Sequence, residues 1–287
     1  MIPLALSILS SSVLLVIFKY FNRFEVKTFQ AITVNYFVAA TLGFLLSPKS
    51  ISPYELIDQT WLPSAVIIGC VFIAMFYVMA ISSQKVGVAI SSVANKMSLV
   101  IPVIAGVLLY NESLAGLKLA GVIVAIIGVV MVTYPKKGVQ VDRKFLILPI
   151  IIFLGSGFLD TFFKYVETHQ IQSDEIELFS ASLFLIAAMV GTSVMVFNRL
   201  KSQQTLEMKS IIAGFALGIP NYFSIHFLLM ALNLPNLEST LIFPVNNSGI
   251  VLLSTLLAIV LFAEKLSKLN WTGIALAVIS ILMIAFS

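Results

Sequence analysis

Few side chains in this chain could do chemistry: Lys96, Asp160 and His226, with the amides Asn95, Asn221, Asn246 and Asn247 beside or among them. Each stands inside an otherwise apolar run. A charge in such a run is costly and needs a partner. Lys96 is flanked by Asn95 and Met97, and Asp160 is the acid available to it at depth. Three outcomes are open. The two form a fixed ion pair, Lys96 attracts an anionic group on a bound solute, or the pair exchanges a proton in a working cycle. His226 lies near Asn221, Tyr222 and Ser224. Imidazole titrates near neutrality, so His226 is either the best-tuned proton carrier in the chain or a hydrogen-bonded structural residue. A His226→Gln variant that keeps its pH-gradient dependence would exclude the first role.

Asn246 and Asn247 follow Pro244 and precede Gly249. Proline and glycine loosen an apolar helix, and the freed backbone groups then need polar partners or a water-lined cavity. Asn95 and Pro102 form the less broken counterpart of this stretch. Paired weaknesses at corresponding places are a pointer to a solute site; packing asparagines are the structural alternative. Tyr77, Tyr222 and Phe163 are aromatic candidates for the same cavity, although with 22 Phe and 8 Tyr most rings simply face lipid or helix.

Catalysis has weaker support. Gly155-Ser156-Gly157 together with His226 suggests a serine hydrolase, but small residues of this kind are common where membrane helices pack. Paired-carboxylate chemistry needs two acids in one site, and Asp160 has no acidic companion at depth. One cysteine and two histidines, with His169 expected in a loop, make a poor metal set, and Cys70 reads as an inert core thiol. No phosphate-binding loop is present to power transport with ATP. No cofactor and no metal are implied. The basic residues are spread over five loops with no basic face for nucleic acid.

The elements that carry these residues must be membrane helices. Of the 287 residues 60% are hydrophobic and 10% charged, and mean hydropathy is +1.06. A soluble domain carries about 25% charged residues, whereas a helix of about 20 apolar residues crosses a bilayer. The runs are continuous rather than alternating, which favours helices over a barrel. Ten spans are expected, at 3–20, 29–47, 62–82, 87–110, 115–134, 145–165, 178–197, 209–232, 238–262 and 270–286. The first run lacks a basic leader and a clear cleavage site, so it is read as a retained span. A basic joint near 135–144 separates five spans from five.

The halves echo one another. Glu112 and Gly121 recur as Glu264 and Gly273 (264 − 112 = 152), and Asn95 recurs as Asn247 at the same offset. Phe18-Lys19-Tyr20 returns as Phe163-Lys164-Tyr165. Two copies with an odd number of spans each give an inverted repeat. Glu112 and Glu264 are expected to accept hydrogen bonds from the free N–H groups of the helix that follows each. Gly121 and Gly273 are expected to let helices approach closely.

The two segments Tyr110–Leu114 with Gly121, and Phe262–Leu266 with Gly273, resemble those of the drug/metabolite transporter superfamily, in its ten-helix branch with two EamA-type domains. The resemblance covers nearly the whole chain in length and span count. It implies an all-α integral membrane protein with ten transmembrane helices, built as two inverted-topology five-helix repeats over 1–137 and 138–287. It also implies a secondary transporter of a small-molecule metabolite, working by alternating access through a cavity between the repeats, with export favoured over uptake. Protons or a counter-substrate would be its coupling partners, the lipid bilayer its medium and a bacterial cytoplasmic membrane its location. A flippase for a lipid or lipid-linked precursor is the alternative, and a membrane enzyme or assembly factor the third reading. Such transporters more often keep both termini inside. Here Lys and Arg crowd the odd-numbered loops, which places those loops in the cytoplasm and both termini outside.

Overall fold

The computed structural model describes residues 2–47, 56–110, 116–134, 143–171, 175–202, 205–232 and 239–286. Glu112 and the basic joint around Lys136-Lys137 lie outside the described residues. Within them the chain is all-helical. The helices are α1 (Ile2–Arg23), α2 (Thr28–Leu46), α3 (Leu62–Lys85), α4 (Val88–Met97), α5 (Val100–Tyr110), α6 (Leu117–Thr133), α7 (Ile147–Gln170), α8 (Ile176–Ser202), α9 (Met208–Leu232), α10 (Ser239–Phe262) and α11 (Lys268–Ala285). Nine described stretches are long and apolar enough to cross a membrane, α4 with the start of α5 counting as one, and the 17 residues of α6 make the tenth. Helix is the form that satisfies every backbone group without water. The outward faces are apolar, with Leu108, Leu200 and Val260 among the most exposed side chains.

The expected fourth span is two helices. It breaks at Ser98-Leu99, where Ile101 N–H donates to Ser98 O at 2.9 Å. Pro102 explains the position. In an unbroken helix its ring would collide with the carbonyl four residues earlier, which is that of Ser98. After the break Pro102 falls in a first helical turn, where its missing N–H costs little. The corresponding stretch of the second half was expected to be the more broken; instead α10 runs unbroken through Pro244 to Phe262. Two smaller readings also change. Cys70 is exposed on α3 rather than buried, and His169 lies in the last turn of α7 rather than in a loop.

Two compact units make up the fold. One comprises Met1–Tyr20, Val78–Asp160 and Phe223–Ser287, the other Phe21–Tyr77 and Thr161–Tyr222. Residues of α1, α3, α7 and α9 belong to both. In the first unit α6 and α11 run antiparallel in backbone contact. A Cβ on Gly273 would lie 2.7 Å from Val132 N, and one on Gly121 3.1 Å from Ile284 N. Small residues allow that approach, and dispersion is what holds membrane helices together. Val93, Met97, Val122, Val129, Val251 and Ile274 form the core over this seam. Ser267 and Asn270 cap α11 reciprocally, Asn270 N–H donating to Ser267 Oγ at 3.0 Å and Ser267 N–H to Asn270 Oδ1 at 2.9 Å. Asn270 Nδ2 also donates to Val132 O at 2.7 Å, which ties that cap to the end of α6.

In the second unit Gly191 of α8 faces Thr33 of α2, and Gly214 and Gly218 of α9 face Val34 and Val38. Tyr36 sits among Phe76 and Phe184 and donates its hydroxyl to Phe72 O at 3.2 Å. A polar staple closes one edge. Lys27 Nζ lies 3.1 Å from Glu207 Oε1, and Glu207 N–H donates to Gln30 Oε1 at 3.1 Å.

Candidate functional site

The break between α4 and α5 places polar groups where an unbroken helix would bury only its own backbone. Asn95 and Lys96 end α4, and Ser98 forms the turn. Opposite them, Ser156 and Asp160 stand one helical turn apart on the same face of α7. Gly157 permits the approach, because any side chain there would collide with Ile101 of α5.

Hydrogen bonds order this cluster. Ser156 Oγ donates to Asn95 Oδ1 at 2.8 Å. Ser98 Oγ lies 2.5 Å from Asn95 O and 3.3 Å from Asp160 Oδ2, so its one proton serves mainly the carbonyl and only weakly the carboxylate. Lys96 is half-buried and, among the described residues, has no hydrogen-bond acceptor and no ion pair. Lys96 and Asp160 attract each other electrostatically without meeting. The fixed ion pair considered from the sequence is therefore not formed. Asp160 is exposed. An uncompensated ammonium and a weakly held carboxylate within spans are costly arrangements, and both offer a bound molecule something to satisfy.

The other candidates divide between the units. Asn246, Asn247 and His226 share the first unit with Lys96 and Asp160. Asn246 is buried with its carbonyl oxygen unsatisfied, as is the Ser248 hydroxyl; Asn247 is half-buried. His226 packs against the rings of Phe223 and Phe227, with centroids 6.0 and 5.8 Å away. Tyr77, Phe163, Asn221 and Tyr222 belong to the second unit. There Tyr77 sits edge-on to Phe29 at 5.7 Å and Phe163 edge-on to Phe179 at 5.5 Å, while Asn221 and Tyr222 are buried just after Pro220 of α9.

Glu264 forms a second constellation, and its partner helix is not the expected one. The helix that follows it, α11, is capped by Ser267 and Asn270. Glu264 instead caps α4 across the fold, accepting from Val88 N–H at 2.9 Å and Ala89 N–H at 3.4 Å. Ala263, between α10 and Glu264, adopts φ +50°. Lys19 completes the group, with Nζ 3.4 Å from Glu264 Oε1 and donating to Gln84 O at 3.3 Å. Tyr20 packs edge-on to Phe262 at 4.9 Å.

Ser98, Ser156 and Lys19 escaped the reading of the sequence as partners of the site residues. Ser98 carried a usable signal, since it precedes Pro102 by four residues. Ser156 was weighed only as a nucleophile. Its hydroxyl is engaged with Asn95, and His226 lies among phenylalanine rings.

Residues 1–134 match the model of the EamA-like transporter family. An uncharacterized protein of Haemophilus influenzae is 31% identical over 277 residues, covering 94% of this chain and 93% of its own length. The similarity thus runs through both halves, across the α4–α5 break, Asp160 and Glu264.

Proposed function

The chain belongs to the EamA-like transporter family, and on that footing we propose that it is a secondary transporter that exports a small organic metabolite across a bacterial cytoplasmic membrane. It is a multi-pass membrane protein whose family moves small solutes. In the proposed mechanism two inverted five-helix repeats, residues 1–137 and 138–287, alternate access to one solute site, with both termini outside the cell.

One observation carries the reading: among the described residues, the α4–α5 break holds an ammonium with no hydrogen-bond acceptor and no ion pair, and an exposed carboxylate. A purely structural site would close that pair or replace it by apolar packing. A solute site must leave it open, because the cargo supplies the missing contacts and takes them away on leaving. The break itself is a further support, since discontinuous helices in transporters present backbone ends and polar groups to cargo. Asn95 and Ser156 orient the end of α4, Lys96 attracts the solute and Asp160 either takes part in binding or exchanges a proton. Asn246, Asn247 and His226 are the remaining candidates of this unit, and the aromatic residues Tyr77, Phe163 and Tyr222 those of the other.

Reconstitution tests this directly. The purified protein, screened for thermal stabilisation by a metabolite library and then placed in proteoliposomes, is expected to show counterflow of each stabilising solute. Lys96→Gln is expected to abolish that counterflow while the protein still folds. Movement of labelled lipid between leaflets, with no solute counterflow, would replace this reading by that of a flippase.

A further inference from the structure

We propose that the chain carries a seat for one anionic phospholipid, its phosphate held by Lys85 and Lys144 and its acyl chains laid along α7. The seat lies wholly within the first unit and is independent of the cargo. Lys85 is the last residue of α3, and Lys144 stands in a single 3₁₀ turn, Arg143–Leu146, that leads directly into α7. Both ammonium groups gather on one ring. Lys85 Nζ is 5.9 Å and Lys144 Nζ 5.1 Å from the centroid of Phe145. A ring face attracts a cation, but two cations drawn to one ring repel each other. An anion shared between them turns that repulsion into two charge-assisted contacts. Both lysines are exposed, and so open to a ligand. Among the described residues Lys85 has no ion pair, whereas the nearby Lys19 ammonium is taken by Glu264 and by Gln84 O.

The helix that follows Lys144 favours a lipid over a free anion. Ile147, Ile150, Leu154 and Phe158 are all exposed, and their spacing of three or four residues puts them on one face of α7. This apolar stripe begins three residues after Lys144 and extends over about 16 Å at 1.5 Å per residue. That length is close to the roughly 15 Å of hydrocarbon in one leaflet. A phospholipid joins the two features, with charge at the end of the span and acyl length along it. A zwitterionic headgroup also offers a phosphate, but its own ammonium would be brought against the two lysines. A headgroup of net negative charge, such as phosphatidylglycerol, meets no such opposition. The charge bias of the loops puts this end of the spans at the cytoplasmic leaflet, where basic clusters between membrane helices recognise anionic lipids.

Native mass spectrometry of the full-length protein in detergent reads the seat through the first lipid bound. Dioleoyl phosphatidylglycerol competes there against dioleoyl phosphatidylcholine, and the wild type is expected to prefer phosphatidylglycerol. An ammonium beside an anionic headgroup contributes about fivefold. Lys85→Gln and Lys144→Gln should therefore each cut the preference about fivefold, and the double variant about 25-fold. The double variant Lys85→Arg, Lys144→Arg should keep it, which separates lost charge from a damaged fold. Lys201→Gln, in the last turn of α8, removes an equal charge elsewhere and should change nothing. Dioctanoyl phosphatidylglycerol should bind more weakly than the dioleoyl lipid, and inorganic phosphate should displace neither.

The inference is overturned if the two headgroups bind alike, or if the double Gln variant keeps the wild-type preference. Loss of the preference in the double Arg variant would overturn it too. An effect of Lys201→Gln as large as that of Lys85→Gln would replace the seat by diffuse surface charge. Displacement by inorganic phosphate, or no loss on shortening the acyl chains, would leave an anion site and sink the lipid.

Discussion

Gly87 is the position where a single methyl group should do the most damage. It precedes α4 with φ +137° and ψ 154°, a conformation that is essentially reserved for glycine. A Cβ there would also stand 2.9 Å from Glu264 Oε2, inside van der Waals contact. Gly87→Ala therefore carries two costs. The backbone strain is about 1–3 kcal/mol. Displacement of the Glu264 carboxylate weakens its bonds to Val88 N–H at 2.9 Å and Ala89 N–H at 3.4 Å, and loss of such a cap costs about 0.5–2 kcal/mol. Together they predict a loss of about 1.5–5 kcal/mol, read by SDS titration of the purified protein in mixed micelles. Glu264→Gln alone should lose about 1–2 kcal/mol. The double variant should lose less than the sum, because the cap can be lost only once. A Gly87→Ala protein within about 0.5 kcal/mol of wild type, or a strictly additive double variant, would refute the reasoning.

Other expectations follow from single contacts. Asn270→Ala removes the α11 cap and the donor to Val132 O, and should cost about 1–3 kcal/mol in the same titration. Gly157→Ala should push Ile101 away and abolish solute stabilisation in thermal-shift assays, and Ile101→Ala in the same chain should restore part of it. Lys27, which hydrogen-bonds Glu207, holds that carboxyl below the usual glutamate value, with Lys209 adding to the effect. A lowered folded-state pKa means stability that is present above the unfolded value and lost as pH falls through the folded one. The difference between wild type and Glu207→Gln should therefore be constant near neutral pH and shrink below about pH 4. A C-terminal alkaline phosphatase fusion should be active and a C-terminal cytoplasmic fluorescent tag dark, as the charge bias of the loops requires.

Much of the fold was legible because hydrocarbon imposes so strict a rule on the backbone. Continuous apolar runs of the right length have one satisfactory form, and the spans emerge at nearly the expected places. What periodicity could not show was the break at Ser98-Leu99. Pro102 and Pro244 look alike as letters, yet one splits its span and the other is absorbed by α10. The outcome depends on whether neighbours can satisfy the freed carbonyls, and that is settled by packing rather than by local sequence. The Lys96–Asp160 relation was visible as a pairing of charges at depth, but the sequence holds no distance, so contact and mere attraction read the same. Glu264 was legible as a cap and illegible as to which helix it caps, since that depends on which free N–H groups the fold brings to it. His226 and the four residues of the second unit were picked out for their chemical type. Type alone gives no neighbourhood: His226 packs against Phe223 and Phe227, Tyr77 against Phe29 and Phe163 against Phe179.

The open pair of charges has no twin. Shifted by the repeat offset of 152 residues, Lys96 becomes Ser248, and shifted by the 145 that relates Phe18 to Phe163, Asp160 becomes Leu15 (160 − 145 = 15). In the proposed two-repeat arrangement the scaffold residues recur and the charges do not.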